Sequence, residues 1–239
     1  MRQQRPPELR DLDPAQVETV RTRLLDACFP PAERLTADEI REIYLTDAPP
    51  PSAVVLDEDQ PIAVMLTEWF CDRRVLLLSY LAVTPAARGH HVGEDLIRDV
   101  LPTWSGDALV LAEVEDPRSH GTHPDWGDPA ARLRFYGRLG ADLLPLAYFQ
   151  PSLRPGAPRV TGMLLLRLGG RIDPPDLLRT FLVEYFDACE PGARHDDAVV
   201  VGLLDAASDA GRSQRVWPTD DYARIPQPAG TGHAGRGGG

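Results

Sequence analysis

Lysine and asparagine are missing from this chain, so all 25 of its basic residues are arginine, a GC-rich coding bias that carries no functional information. Cysteine is scarce. Cys28, Cys71 and Cys189 are far apart and odd in number, which excludes a disulfide framework and a Cys-x-x-Cys metal site. They read as small buried apolar groups. No apolar run approaches the roughly 18 residues that a membrane helix needs, so no membrane partner is expected. Positive charge is in deficit: 36 acidic residues give a net charge of −11, which argues against a nucleic-acid partner and faintly favours a cationic amine substrate. The N-terminal stretch Met1–Glu8 is charged and leads into no apolar segment, so no secretion signal is read and a cytoplasmic location is expected.

What is present suits one globular unit. At 239 residues, with 43% hydrophobic and 26% charged positions, the chain can bury one full core and a small appendage. Residues 14–28 place Val17, Val20, Leu24 and Ala27 at helical spacing behind Asp13 as a cap. Thr36 and Glu39 form a capping-box pattern that opens a second helix. Three β-rich runs follow, at 53–56, 62–70 and 75–83, joined by turn-like links. A helix over 93–101, a strand over 108–115 and a helix over 128–139 come next, the last with Asp128 at its cap and Pro129 in its first turn. Strands are predicted over 143–150 and 163–168, and helices over 174–189 and 196–210. Residues 1–13 are expected to be a flexible segment, 14–170 the main domain, 171–210 a helical extension and 211–239 a disordered tail.

Chemistry concentrates where the strand 75–83 runs through Thr84-Pro85 into Arg88-Gly89-His90-His91-Val92-Gly93 and an amphipathic helix. Such a turn aims backbone N–H groups and the positive end of a helix dipole at one point, as a diphosphate requires. Arg88 adds a fixed charge, and Gly89 and Gly93 let backbone approach ligand closely.

Val83-Thr84-Pro85 and Arg88…Val92-Gly93 resemble the acyl-CoA signature of the GNAT acyltransferases, a Val-x-Pro turn followed by Arg/Gln-x-x-Gly-x-Gly/Ala. His91 stands where that signature has its first glycine. Farther on, Arg134-Phe135-Tyr136-Gly137-Arg138-Leu139-Gly140-Ala141 is similar to the family's Tyr-x-x-x-Gly helix ending. Many relatives carry an asparagine seven residues before this tyrosine; here the position is Pro129. The resemblance covers roughly residues 14–170 and implies an α/β fold: a mixed, mostly antiparallel twisted sheet of six or seven strands flanked by helices.

It also implies an N-acetyltransferase that uses acetyl-CoA as co-substrate, takes a small-molecule amine in a ternary complex and needs no metal. A catalytically silent acyl-CoA-binding or interaction module is the alternative, and a homodimer is left open. Leu81, Ala82, Val83, Arg88, Gly89, His90, His91, Val92 and Gly93 would hold coenzyme A, with a backbone N–H among the first three facing the thioester oxygen. Tyr136 would protonate the leaving thiolate, or else fill the core beside Phe135.

For the base, Glu113 and Glu115 alternate with Leu109 and Leu111 on one strand face; Glu113 would act directly or through water, or pair with an arginine. Glu68 is held in reserve. The long loop 116–127 brings His120, His123 and Trp126 as pocket or lid residues, and Gln150 completes the substrate-binding set. Direct transfer is expected because no cysteine is placed beside the site.

Overall fold

The structure, a computed structural model, describes residues 5–154, 156–192 and 197–228. Helix α1 spans residues 14–28, with a π-helical middle at Val20–Leu25. Asp13 accepts from the Gln16 N–H and Gln16 answers in kind. Helix α2, Ala37–Tyr44, opens on the reciprocal Thr36–Glu39 box. Strands β1 (Ser52–Asp57), β2 (Gln60–Phe70) and β3 (Val75–Val83) form an antiparallel meander. Helix α3 (residues 92–105) crosses to β4 (Leu109–Glu115), which runs parallel to β3. Helix α4 (Pro129–Arg138), β5 (Asp142–Leu143), β6 (Met163–Gly169), α5 (Leu177–Cys189), α6 (Ala198–Ser213) and β7 (Trp217–Pro218) follow. The sheet order is β1-β2-β3-β4-β6-β5-β7, a mixed and mostly antiparallel sheet of seven strands, as expected. No helix among the described residues is long and apolar enough to cross a membrane.

Three apolar clusters hold the layers. On one face, α3 and α4 bury Leu96, Ile97, Leu101, Leu133 and Tyr136 against Leu76, Leu78, Val110, Ala112 and Val114. The opposite face is shared. Helices α1 and α2 cover Val54, Val64, Leu66, Tyr80 and Ala82, while α5 and α6 cover Val75, Leu77, Leu109, Leu111 and Leu165. Leu178, Phe181, Leu182 and Phe186 of α5 expose no surface, each contributing about 1.5–3 kcal/mol of apolar burial. The expected appendage is thus half of one layer of the sheet's cover.

Two features of β3 place the site. Its pairing with β4 covers only Val75 to Leu78, opposite Leu109 to Ala112, after which the strands part. Against β2, Leu66 faces Tyr80 and Thr67 faces Leu78, so Ser79 is an extra residue, a β-bulge at the point of divergence. The bulge reverses the alternation. Leu77 and then Tyr80 and Ala82 lie on the α1/α5 face, the face that Glu68, Glu113 and Glu115 share.

Several sequence expectations need correction. The strand predicted over 143–150 ends at Leu143; beyond it only Gln150 bridges, to Val160. Pro145 lacks an N–H to continue the ladder, and the apolar pattern there comes from burial of Leu144, Leu146 and Tyr148 beneath α5. Within the expected tail, residues 211–228 are structured: α6 continues to Ser213, β7 pairs with β5, and Thr219 and Ile225 are buried. These anchors are too widely spaced to give a period. Residues 229–239 lie outside the described residues. The expected flexible start also docks, since Leu9 has no exposed surface and the Pro7 carbonyl accepts from the Val54 N–H at 2.8 Å.

Candidate functional site

Two cavities open where β3 and β4 separate. One, of about 460 Å³, lies between the end of β3, the turn 87–94 and α4; it is lined by Leu81, Ala82, Val83, Arg88, Gly89, His91, Val92, Gly93, Trp126 and Tyr136, among others. The second, of about 210 Å³, lies on the α1/α5 face; its floor carries Glu68, Ser79, Glu113 and Glu115, and its walls Glu33, Glu39, Gln150, Arg154, Tyr185 and Cys189. Cys28, Phe29, Leu81, Arg132 and Tyr136 line both, so the cavities meet there.

The first cavity has the makings of an anion cradle. The first intrahelical bond of α3 runs from the Asp95 N–H to the His91 carbonyl at 2.9 Å. The N–H groups of Val92, Gly93 and Glu94 therefore have no acceptor within the helix and carry its positive pole. A Cβ on Gly93 would touch Val83 Cγ2 at 3.4 Å, so α3 lies close against β3. His91 caps the helix at φ 62°, ψ 2°, the left-handed conformation that favours glycine, and its Nδ1 lies 2.9 Å from Glu94 Oε2. The Arg88 Nε donates to the Val83 carbonyl at 3.2 Å, tying the turn to the strand.

Backbone direction along β3 follows from one bond. Thr84 N–H donates to Ile62 O of β2 at 2.9 Å. By alternation Ala82 and Tyr80 also face β2, while the Leu81 and Val83 N–H groups face the gap that β4 has left. Of the three sequence candidates, Ala82 is thereby committed to the sheet.

Tyr136 is 6% exposed and its hydroxyl has no hydrogen bond to a described residue. Burial pushes it up to about 12, with Arg132 pulling the other way. Glu113 is walled in, which raises its pKa, but it accepts from Tyr148 (2.5 Å), Gln150 Nε2 (2.9 Å) and Tyr185 (3.2 Å), donors that favour its charged form. Arg132 pairs with Glu115 at 2.8 Å, and Glu113 has no guanidinium partner among the described residues. Glu68 is raised by burial and accepts from Ser79 Oγ at 2.7 Å. His90 lines neither cavity. Nor do His120, whose Nε2 lies 2.9 Å from Thr161 O, or His123, which stacks on Trp126 with ring centroids 3.8 Å apart. Among the described residues no group of three His, Cys, Asp or Glu could hold a metal.

Sequence reasoning missed Glu33, Arg154, Tyr185 and the Ser79 bulge. Glu33 sits in the connection between α1 and α2, pushed up to about 7 by burial first and by Glu115 and Glu113 next. Glu33, Arg154 and Tyr185 lie far from the motifs in sequence, and the bulge at Ser79 shows only in the pairing of β2 with β3. The expectation that no cysteine adjoins the site is overturned: Cys28 ends α1 and lines both cavities, and Cys189 lines the second. A helix end 55 residues before Val83 in the chain gave no sign of this proximity.

No protein-family model matches the chain, and no curated protein matches it. Among solved structures it is similar to a protein assigned to the GNAT family of acetyltransferases from Bacteroides thetaiotaomicron, at 23% identity over 70% of this chain and 86% of that one, with a TM-score of 0.54. It is also similar to the ribosomal-protein-S18-alanine N-acetyltransferase of Escherichia coli (15% identity, 66% and 89% covered, TM-score 0.45). A third is the loading GNATL domain of CurA from Lyngbya majuscula (17%, 68% and 94%, 0.47). The first of these, with the sheet order and the parted β3 and β4, shows that the chain has the GNAT fold.

Proposed function

We propose that the protein transfers an acetyl or similar short acyl group from coenzyme A to a small-molecule amine, by direct attack in a ternary complex. The observation that carries this reading is the junction: a cavity with unpaired helix-start N–H groups meets a carboxylate-lined cavity at Leu81 and Tyr136. The turn 88–93 would hold the diphosphate, and the acyl-CoA supplies the activated carbonyl. The Leu81 N–H, unused by β2, suits charge developing on the thioester oxygen.

The amine nitrogen bonds to the carbonyl carbon as the carbon–sulfur bond breaks. Tyr136, buried and with no hydrogen-bond partner among the described residues, gives its proton to the sulfur. The amine's proton must pass to a carboxylate. Glu115 is held by Arg132 and Glu113 by three donors, whereas Glu33 has neither an ion pair nor a side-chain donor among the described residues and is pushed to about 7, near an operating pH. Glu33 is therefore the base in this reading, with Glu113 a buried carboxyl on the floor of the acceptor cavity. Cys28 needs no covalent role.

The test is thiol release from acetyl-CoA across a panel of amines. Release should require an amine, fall by about 10²–10⁴ in Tyr136→Phe, and persist in Cys28→Ala with intersecting double-reciprocal plots. Acetyl-CoA bound without turnover on any amine would favour the silent module instead.

A further inference from the structure

The second cavity is unusual in its charge. Five carboxylates line it, Glu33, Glu39, Glu68, Glu113 and Glu115, against two guanidiniums. Both guanidiniums are already spent within the protein: Arg132 on Glu115 at 2.8 Å and Arg154 on Glu39 at 2.7 Å. Glu33, Glu68 and Glu113 have no cationic partner among the described residues, and all three face one space. Glu68 and Glu113 lie deep in the floor, on the same face of β2 and β4, and the Glu68 charge adds to the burial that raises Glu113.

A second observation is independent of charge. Gln150 lines the same cavity with 9% of its surface exposed; its Nε2 is given to Glu113, and its Oε1 has no partner among the described residues. A buried acceptor without a donor costs about 1–3 kcal/mol, a penalty that a ligand's N–H would remove. Around Glu68, Glu113 and Gln150 the groups left over are carboxyl and amide oxygens, and the donors that fit them are a ligand's N–H groups. At about 210 Å³ the space is smaller than the roughly 300–1,000 Å³ of typical ligand pockets, which suits a short, slender molecule.

We infer that the acceptor is a small dication, an alkyl chain with an amine at each end. One nitrogen reacts at the junction beside Leu81 and Tyr136, and the other stays an ammonium held by Glu68, Glu113 and Gln150 Oε1. This rests on the acyl-transfer reading for the reacting end alone; the ammonium site stands on the cavity floor.

Calorimetry on the full chain tests it, with 1,4-diaminobutane and 1-aminobutane as probes in the presence and absence of acetyl-CoA. The diamine should bind at least tenfold more tightly than the monoamine. Glu68→Gln should remove most of that preference while acetyl-CoA binding, which doubles as the folding control, is retained. Should Glu68→Gln not fold, raising NaCl in the wild type provides the second readout: the diamine's advantage should shrink. Equal affinity for the two probes, no binding of either, or a preference untouched by both Glu68→Gln and salt would overturn the inference. Acetyl-CoA binding with no diamine preference would defeat the inference alone; diamine preference with no acetyl-CoA binding would defeat the transfer reading alone.

Discussion

His91 holds a backbone conformation, φ 62°, that costs a side-chain-bearing residue about 1–2 kcal/mol. Glycine relieves that strain at about 0.5–1 kcal/mol of extra chain entropy. Loss of the contact to Glu94 costs little at a side chain that is 74% exposed. His91→Gly should therefore raise stability by about 0.5–1 kcal/mol, read as a higher Tm, without weakening acetyl-CoA binding; a lower Tm would contradict the strain argument. Glu33 makes a pH prediction. Its carboxyl is pushed up to about 7, and a base works ionised, so kcat/KM should rise with pH through about 7, and Glu33→Gln should abolish that limb along with most turnover. Stability moves the other way: a raised carboxyl stabilises the fold below its ordinary value and loses that contribution as pH climbs through about 7.

Between elements, the acceptor cavity depends on ties made by arginine. Arg154 reaches from the loop after Gln150 to Glu39 of α2 at 2.7 Å, and also donates to the Arg34 carbonyl. Arg159 joins Glu190 at 2.6 Å and Asp197 at 2.5 Å, fastening the same loop to the end of α5 and the start of α6. Arg154→Ala should raise the acceptor KM about tenfold, on the order of 1.4 kcal/mol, and leave acetyl-CoA affinity within about twofold, since the loop touches only one cavity. Equal damage to both substrates would show that the tie supports the whole fold. Glu39, Glu190 and Asp197 are held below their ordinary values by these arginines, so their contribution is present above the unfolded values and lost as pH falls through the folded ones. Elements of this kind were legible only in part from sequence. Caps such as Asp13, Thr36 and Asp128 act on residues two or three positions away, and each was readable. The Ser79 bulge depends on how β2 and β3 align, and nothing in Leu78-Ser79-Tyr80 announces it.

Across the whole molecule, the chain's two ends build the site that its middle announces. Tyr136 became a candidate only through the resemblance of its helix ending to the family's Tyr-x-x-x-Gly, and the motif turn was legible because a tight strand-to-helix turn favours particular residues at short spacing. The walls were not, because Glu33, Arg154 and Tyr185 meet only when α1, α2 and α5 settle side by side on one sheet face. The C-terminal segment likewise closes over the tyrosine helix: Thr219 lies directly on Gly137, where an added Cβ would collide with the threonine hydroxyl, and Arg118 donates to the Ala223 and Ile225 carbonyls, each at 3.0 Å. Gly137→Ala should cost about 1–3 kcal/mol, and Thr219→Ala in the same chain should recover part of it; additive losses in a thermal double-mutant cycle would deny the contact. The central claim, that turn 88–93 cradles the coenzyme A diphosphate beside the acceptor cavity, is tested most directly by calorimetric titration of acetyl-CoA into wild type and an Arg88→Ala, Gly93→Asp variant matched for folding by circular dichroism. Micromolar binding to wild type and its loss in the variant is the predicted result; no binding to wild type, or equal binding to both, would contradict it.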